Sequence, residues 1–192
     1  VVAISLLALP SWVASEVGPG ALALCSDVAF STEEDFVTAG PEPPDGNPII
    51  SDGDLLSPSG AVCARNADLL HSAFDVTIDI GLDAADVIDV AEQAYLVAFS
   101  TELDSPNTGQ FTAGDLLITN GAIIKNAALL AKWPVPYDIG LDAVHFVGSP
   151  EDIRGFLAGA KTTSPVDAGD LSELFASFEV DIWFSTEGTF TF

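Results

Sequence analysis

The sequence predicts an all-β protein built from antiparallel four-stranded repeats, because three blocks of residues recur in the same order. Phe-Ser-Thr-Glu occurs three times, ending at Glu33, Glu102 and Glu187. Gly-Asp-Leu-Leu and Asp-Ile-Gly-Leu-Asp-Ala each occur twice. A repeat of about 60 residues in fixed order is typical of units that pack on their neighbours. The predicted organisation is a leader at 1–24, units at 25–78 and 79–137, and a partial third unit at 138–192.

Each unit is predicted to contain the same strands in the same order. The Phe-Ser-Thr-Glu strand comes first and is predicted over 27–33, because apolar and polar residues alternate there. The Gly-Asp-Leu-Leu strand follows and ends in a turn, for which Asn120-Gly121 is a strong hairpin signal. A further strand runs through Asn-Ala-x-Leu-Leu, at 66–70 and at 126–130. Phe74 and Trp133 come next, as large aromatic side chains suited to the contact between units.

The Leu-Asp-Ala block opens another predicted strand, which is clearest over 141–147. The apolar spacing over 84–97 also fits a helix, but the alignment with 143–147 favours a strand there. In the strand over 141–147, His145 alternates in phase with Leu141 and is therefore expected to be a packed core histidine.

Residues 149–178 differ from the repeats and are predicted to be a two-helix insertion. Ser149 precedes a proline and two acidic residues, so a helix is expected from 150 to about 158. Asp170-Leu-Ser-Glu173 is a capping pattern that predicts a second short helix.

The leader at 1–24 resembles a secretory signal, because an apolar stretch precedes the small-residue pattern Ala21-Leu-Ala23. The alternatives are an apolar first strand or a short anchor. Pro10 and Gly18 interrupt the stretch, which is too short for the about 20 apolar residues that cross a bilayer. We therefore expect a secreted or cell-surface protein with no transmembrane span. Cys25 and Cys63 would then form a disulfide, or each would be a small buried apolar residue.

The charge balance limits the classes of partner that the chain is expected to bind. The chain has 5 basic and 29 acidic residues, with a net charge of −24. Such a field repels nucleic acid and anionic membrane surfaces and attracts cations or basic partners. Direct nucleic-acid binding is therefore not expected.

Carboxylates are the abundant functional groups, and many of them recur. Calcium binds oxygen ligands of this kind. The loops that we expect to bind calcium supply four ligands, namely Asp52, Asp54, Asp104 and Asn107. A structural role is the favoured interpretation of the repeated carboxylates and calcium is the alternative, because an aspartate beside a tight turn can accept backbone N–H groups in every unit. The repeated carboxylates are Asp54 and Asp115, Asp83 and Asp142, and Glu33, Glu102 and Glu187.

The sequence shows no catalytic signature. His71 and His145 are the two histidines and lie far apart in the sequence. Neither a Gly-x-Ser-x-Gly elbow nor a phosphate-binding Walker loop is present. Paired carboxylates remain a possible acid–base pair, but their separation cannot be read from a sequence. The catalytic residues are therefore unknown, and an enzyme is the less favoured interpretation.

Four strands in each cyclic unit resemble a β-propeller blade. The unit is similar to the repeats of secreted bacterial propellers, including the phytase-like and esterase-like group. This resemblance implies an open propeller-like fragment; a β-sandwich made of the same strands is the alternative. The expected function is an extracellular repeat module with a structural, adhesive or binding role, stabilised by calcium. The alternative function is part of a calcium-dependent, phytase-like or other hydrolase.

The chain ends inside its third unit, so the strand over 182–186 is expected to expose an unpaired edge. Such edges recruit other strands. We therefore expect self-association through this edge, or further repeats of a longer chain that cover it.

Overall fold

A computed structural model describes residues 19–40, 42–91, 94–133, 135 and 137–187, and it shows a mixed α/β fold. The structure is 26% helix and 26% strand. The strands form four separate small antiparallel sheets, and none of these closes into a barrel or a propeller. The prediction of an all-β, propeller-like chain is therefore wrong, and so is its all-β sandwich alternative.

Five helices and ten strands make up the described part of the chain. The helices are α1 (Pro19–Leu22), α2 (Asn66–Phe74), α3 (Asn126–Leu129), α4 (Pro150–Thr163) and α5 (Ala168–Ser177), with a 3-10 turn at Ala23–Cys25. The strands are β1 (Phe36–Val37), β2 (Ile49–Ile50), β3 (Leu55–Leu56), β4 (Val62–Ala64), β5 (Ala85–Ala91), β6 (Ala94–Phe99), β7 (Leu116–Ile118), β8 (Ile123–Ile124), β9 (Leu141–Gly148) and β10 (Val180–Thr186). None of these helices is long and apolar enough to cross a membrane.

The Asn-Ala-x-Leu-Leu blocks are the main cause of the wrong fold class, because they form α2 and α3 instead of strands. Alanine and leucine are good helix formers. Neither helix has a side-chain cap from the residue before it. The backbone N–H groups of Asn66 and Asn126 instead donate to aspartates that precede β3 and β7. A cap supplied from another element leaves no local signal in the sequence.

Two further predictions are wrong, namely the strand over 27–33 and the burial of His145. The segment over 27–33 is not a strand, and it makes only an isolated antiparallel bridge between Phe30 and Leu56. In β9, the side chain of His145 is 63% exposed, whereas Phe146 is buried. The register between β9 and β10 shifts near Leu141. This irregularity breaks the alternation that was used to place His145 in the core.

The two-helix insertion is confirmed between β9 and β10. Ser149 caps α4 by accepting from the backbone N–H of Asp152, and the helix continues to Thr163, five residues beyond the predicted end at about 158. The second helix begins before the predicted capping pattern, because Asp167 accepts from the first backbone N–H groups of α5. The choice of strand over helix for 84–97 is also confirmed, but the structure has two paired antiparallel strands there, β5 and β6, and not the one strand predicted.

The sheet β5-β6-β7-β8 lies at the centre of the molecule, and both of its faces are buried. Alternate residues of β7 point to opposite faces, so Leu117 joins one core and Leu116 and Ile118 join the other. The first core is completed by α2, β3 and β4, and it contains Leu55, Leu70, Phe74, Phe99 and Phe111. The second core is completed by α4, α5, β9 and β10, and it contains Leu141, Phe146, Phe156, Leu157 and Leu171.

Contacts between successive units use repeated residues. The hydroxyl of Ser31 donates to the carbonyl of Leu82 at 2.6 Å. The equivalent hydroxyl of Ser100 donates to the carbonyl of Leu141 at 3.2 Å. Phe74 also packs edge-on against Phe111 of the second unit, with ring centroids 5.6 Å apart, which confirms its predicted role. The serine of Phe-Ser-Thr-Glu therefore connects each unit to the next.

Cys25 and Cys63 form a disulfide that joins the 3-10 turn to β4, with their Cα atoms 6.2 Å apart. Both residues are buried in the first core. Of the two alternatives that the sequence left open, the structure therefore has the disulfide and not two separate cysteines. Residues 1–18 of the predicted leader lie outside the described residues, while Leu22 at its end is buried in the same core.

We predict self-association through the free edge of β10. Among the described residues, β10 pairs only with β9, and Trp183 on it is 65% exposed. Replacing this tryptophan by lysine (Trp183→Lys) should reduce dimer formation in sedimentation experiments, because lysine on an edge strand opposes strand addition. The matched control is Ile78→Lys, which places the same charge at another exposed apolar side chain, 55% exposed. Equal sedimentation of the two variants would contradict this role of β10.

Candidate functional site

The first repeated polar group surrounds Asp54, which is buried beside β3. Its carboxylate accepts from the backbone N–H groups of Ser51 at 3.0 Å and Asn66 at 3.4 Å, and it pairs with Arg65. The amide side chain of Asn66 donates to the carbonyl of Gly81 at 3.0 Å and accepts from the N–H of Ile80 at 3.1 Å. One aspartate and one asparagine thus join three segments of the chain.

The second unit repeats this group around Asp115. Its carboxylate accepts from Asn126 N–H at 2.9 Å and pairs with Lys125 at 2.7 Å. Asn126 in turn donates to the carbonyls of Gly114 and Ile139 at 3.0 and 2.7 Å. The interpretation of these repeated aspartates as acceptors of backbone N–H groups is therefore confirmed. We call the two sets of contacts the Asp–Asn networks.

The repeated glutamates converge elsewhere, in a cleft of about 460 Å³ that we call the acidic cleft. Its carboxylates come from the ends of several elements and from more than one unit. They belong to Glu33, Asp83, Glu102, Asp104, Asp138 and Glu187. The arrangement concentrates negative charge where the units meet.

Glycines in the Asp-Ile-Gly-Leu blocks make room for two of these glutamates. A β-carbon at position 81 would lie 2.6 Å from the carboxyl carbon of Glu102. A β-carbon at position 140 would lie 2.6 Å from Oε2 of Glu187. The two glutamate side chains therefore pack directly against the backbone of these glycines. The repeated glycine thus determines the position of each carboxylate in the cleft.

Crowding changes the protonation of the cleft. Desolvation, with a smaller contribution from the negative charge of Asp52, raises the pKa of Glu102 to about 7. Desolvation also raises the pKa of Asp83 to about 6, and Glu187 and Glu33 add to this effect. Both shifts follow from partial loss of water and repulsion between like charges. Part of the cleft therefore carries protons near neutral pH.

The four predicted calcium ligands have different surroundings in the structure. Asp54 is occupied by Arg65 and backbone N–H groups. Asp52 lies near enough to Glu102 to raise its pKa, and the pKa of Asp52 is itself raised by desolvation and by Asp79. Asp104 lines the acidic cleft and accepts from Ala113 N–H at 2.9 Å.

Asn107 is the fourth predicted ligand, and its side-chain amide donates to the carbonyl of Phe74 at 3.3 Å. This hydrogen bond connects the loop that contains Asn107 to the end of α2. In the described ranges of the chain, no group of three or more histidine, cysteine or acidic side chains is arranged to bind a metal ion. The glutamates of the cleft were not chosen as ligands from the sequence, although their repetition was the signal that marked them.

The histidines contribute no recognisable catalytic pair. His145 lies 3.4 Å from the carboxylate of Asp86, and His71 lies exposed on α2. Within the part of the chain that the structure describes, neither histidine hydrogen-bonds to a serine hydroxyl. The described geometry therefore offers no serine nucleophile activated by histidine.

Comparison with known proteins gives no relative from which to transfer a role. The chain matches no protein-family model, no curated protein and no solved structure.

The Asp–Asn networks predict that Gly114→Ala destabilises the fold. A β-carbon at position 114 would lie 2.8 Å from Nδ2 of Asn126 and closer still to Oδ1 of Asp138. Overpacking of this kind costs about 1–3 kcal/mol. Urea unfolding should show this loss, whereas Gly40→Ala, which meets no atom closer than 3.5 Å, should change the free energy of unfolding little. A similar small effect at both positions would contradict the steric argument.

The acidic cleft predicts a pH dependence of stability. The raised pKa values of Glu102 and Asp83 mean that the native state binds more protons than the unfolded state between about pH 4 and pH 8. The contribution of these groups to the free energy of unfolding should therefore fall as pH rises through this window. Glu102→Gln should flatten the dependence and raise the melting temperature at pH 8.

The control for this prediction is Glu173→Gln on α5, which removes the same charge outside the cleft. Melting temperatures of all three proteins should be measured in chelator at constant ionic strength. Parallel pH profiles for the wild type and Glu102→Gln would exclude the proposed protonation of the cleft.

Proposed function

We propose that this chain is an extracellular repeat module with a structural or binding role and without catalytic activity. The observation that carries the proposal is the use of the repeated polar side chains. Ser31 and Ser100 bond to the next unit, while Asn66 and Asn126 hold backbone groups in place. Residues that recur in order to bind backbone serve the assembly of units, as in other repeat proteins.

The disulfide between Cys25 and Cys63 supports an extracellular location. Disulfides form and persist in oxidising compartments such as the cell exterior. The signal-like leader predicted at 1–24 agrees with the same location. Secretion is therefore part of the proposal.

Stabilisation by calcium is the second part of the proposal. The acidic cleft holds carboxylates from Glu33, Glu102 and Glu187, and desolvation together with repulsion between like charges raises the pKa of Glu102 and of Asp83. A divalent cation there would offset this repulsion and displace protons. Calcium suits such a cleft better than magnesium, because calcium accepts irregular coordination by many oxygens.

A hydrolase is the competing function, and one observation favours it. Carboxyl groups that keep a proton near neutral pH, such as Glu102, are suited to general acid catalysis. Hydrolysis of chromogenic glycosides or phosphate esters that disappears in Glu102→Gln would establish this function. Without such activity, the module remains the better explanation of the repeated contacts.

The calcium proposal predicts that calcium raises the melting temperature of chelator-treated protein. Binding to the native state alone would add about 2.7 kcal/mol at 100 times the dissociation constant. Magnesium should act more weakly, and Glu187→Gln should reduce the calcium effect, whereas Glu173→Gln should not. If calcium, magnesium and sodium chloride of equal ionic strength act alike, screening of the net charge explains the effect.

A further inference from the structure

The two Asp–Asn networks differ in what covers their basic residue. In the first unit, Arg65 lies under the hairpin formed by β1, β2 and the loop between them. Its guanidinium donates twice to the carboxylate of Asp45, at 2.7 and 3.0 Å. It also donates to the carbonyls of Asn47 and Ile49, at 2.9 and 2.7 Å. One arginine thus binds an aspartate-containing turn of its own chain.

The bound turn is well organised. Gly46 N–H donates to the carbonyl of Pro43 at 2.9 Å, and Asn47 N–H donates to the carboxylate of Asp45 at 3.1 Å. The arginine lowers the pKa of Asp45, as expected for a carboxylate held by a bidentate pair. The first unit therefore shows which ligand fits beside a basic residue of this network.

Lys125 occupies the equivalent position in the second unit. It immediately precedes the asparagine of the network and pairs with Asp115, as Arg65 pairs with Asp54. The loop before Gly114 is shorter than the one before Gly53. Among the described residues, no hairpin covers this lysine, whose side chain is 33% exposed compared with 16% for Arg65.

Lys125 instead lines a cavity of about 490 Å³, which we call the aromatic pocket. Trp133 and Tyr137 also line it and are 47% and 62% exposed. Phe74 is the last residue of α2 and is buried, but α3 ends after four residues, and Trp133 lies beyond its end and is not buried. The predicted packing of Trp133 between units is therefore wrong. Exposed aromatic side chains beside a cavity with convergent polar groups are typical of binding sites.

We propose that the aromatic pocket binds an aspartate-containing turn of another polypeptide, with its carboxylate on Lys125 and its apolar side chains on Trp133 and Tyr137. The occupied site at Arg65 assigns this chemistry, because the same network there holds a turn of proline, aspartate, glycine and asparagine. Asp54 does not prevent that binding in the first unit, so Asp115 need not prevent it in the second, where Asp138 also lines the pocket. The inference deepens the binding role proposed above and rests on it.

The test uses a synthetic peptide with the sequence of residues 42–50, titrated into the full chain by calorimetry at physiological salt. The hairpin already occupies Arg65 at high effective concentration, so the added peptide should bind at the aromatic pocket. We expect saturable binding with a stoichiometry of one. A peptide in which Asp45 is replaced by asparagine should bind about tenfold more weakly, as expected when one charge-assisted contact is lost.

Variants of the chain locate the binding site. Trp133→Ala and Tyr137→Ala change exposed side chains, so they should fold normally and weaken binding by about tenfold. Lys125→Arg should retain binding, whereas Lys125→Met should lose it; Lys161→Met is the control for loss of a positive charge. The alanine variants keep the test decisive if Lys125→Met leaves Asp115 unpaired and fails to fold.

Absence of binding at millimolar peptide would overturn the inference. Equal binding to wild type, Trp133→Ala and Tyr137→Ala would overturn it as well, as would binding of neutral oligosaccharides in place of the peptide. Melting of the same preparations with calcium tests the proposed function separately. Loss of peptide binding with an intact calcium effect would therefore overturn this inference and leave the proposed function standing.

Discussion

A buried aspartate that binds the start of the following helix is the interaction on which the rest of the structure depends. Asp54 and Asp115 each accept the N–H of an asparagine, and that asparagine reaches forward to the next Asp-Ile-Gly-Leu segment. Burial of a carboxylate is costly unless it is fully bonded. The neighbouring basic residue and backbone N–H groups meet this condition in both units, which explains why the whole set recurs together.

Sequence patterns predicted much of the order of the chain and little of its fold class. The hairpin at Asn120-Gly121 and the two-helix insertion follow from local signals. The helices at Asn66 and Asn126 do not, because their caps come from distant aspartates. His145 was misplaced because the irregular pairing near Leu141 cannot be seen in a single strand.

Sequence patterns were also insufficient to identify the residues of the candidate site. Repetition marked Glu33, Glu102 and Glu187, but a repeat cannot distinguish residues that support the fold from residues that gather in one cleft. Only the three-dimensional arrangement separates Asp54, whose bonds are satisfied, from Glu102, whose surroundings raise its pKa. Differences between units were equally informative, since the short loop before Gly114 leaves Lys125 open where Arg65 is covered.

The central sheet has a consequence for cooperativity. Leu117 faces the first core and Leu116 and Ile118 face the second, so loss of either core exposes one side of the same strand. Repeat arrays with weak interfaces unfold in steps, one unit at a time. Here the sheet of the second unit packs between the first core and the second, so we expect the stability of each core to depend on the other. We therefore expect the repeats, although duplicated in sequence, to unfold as one cooperative unit.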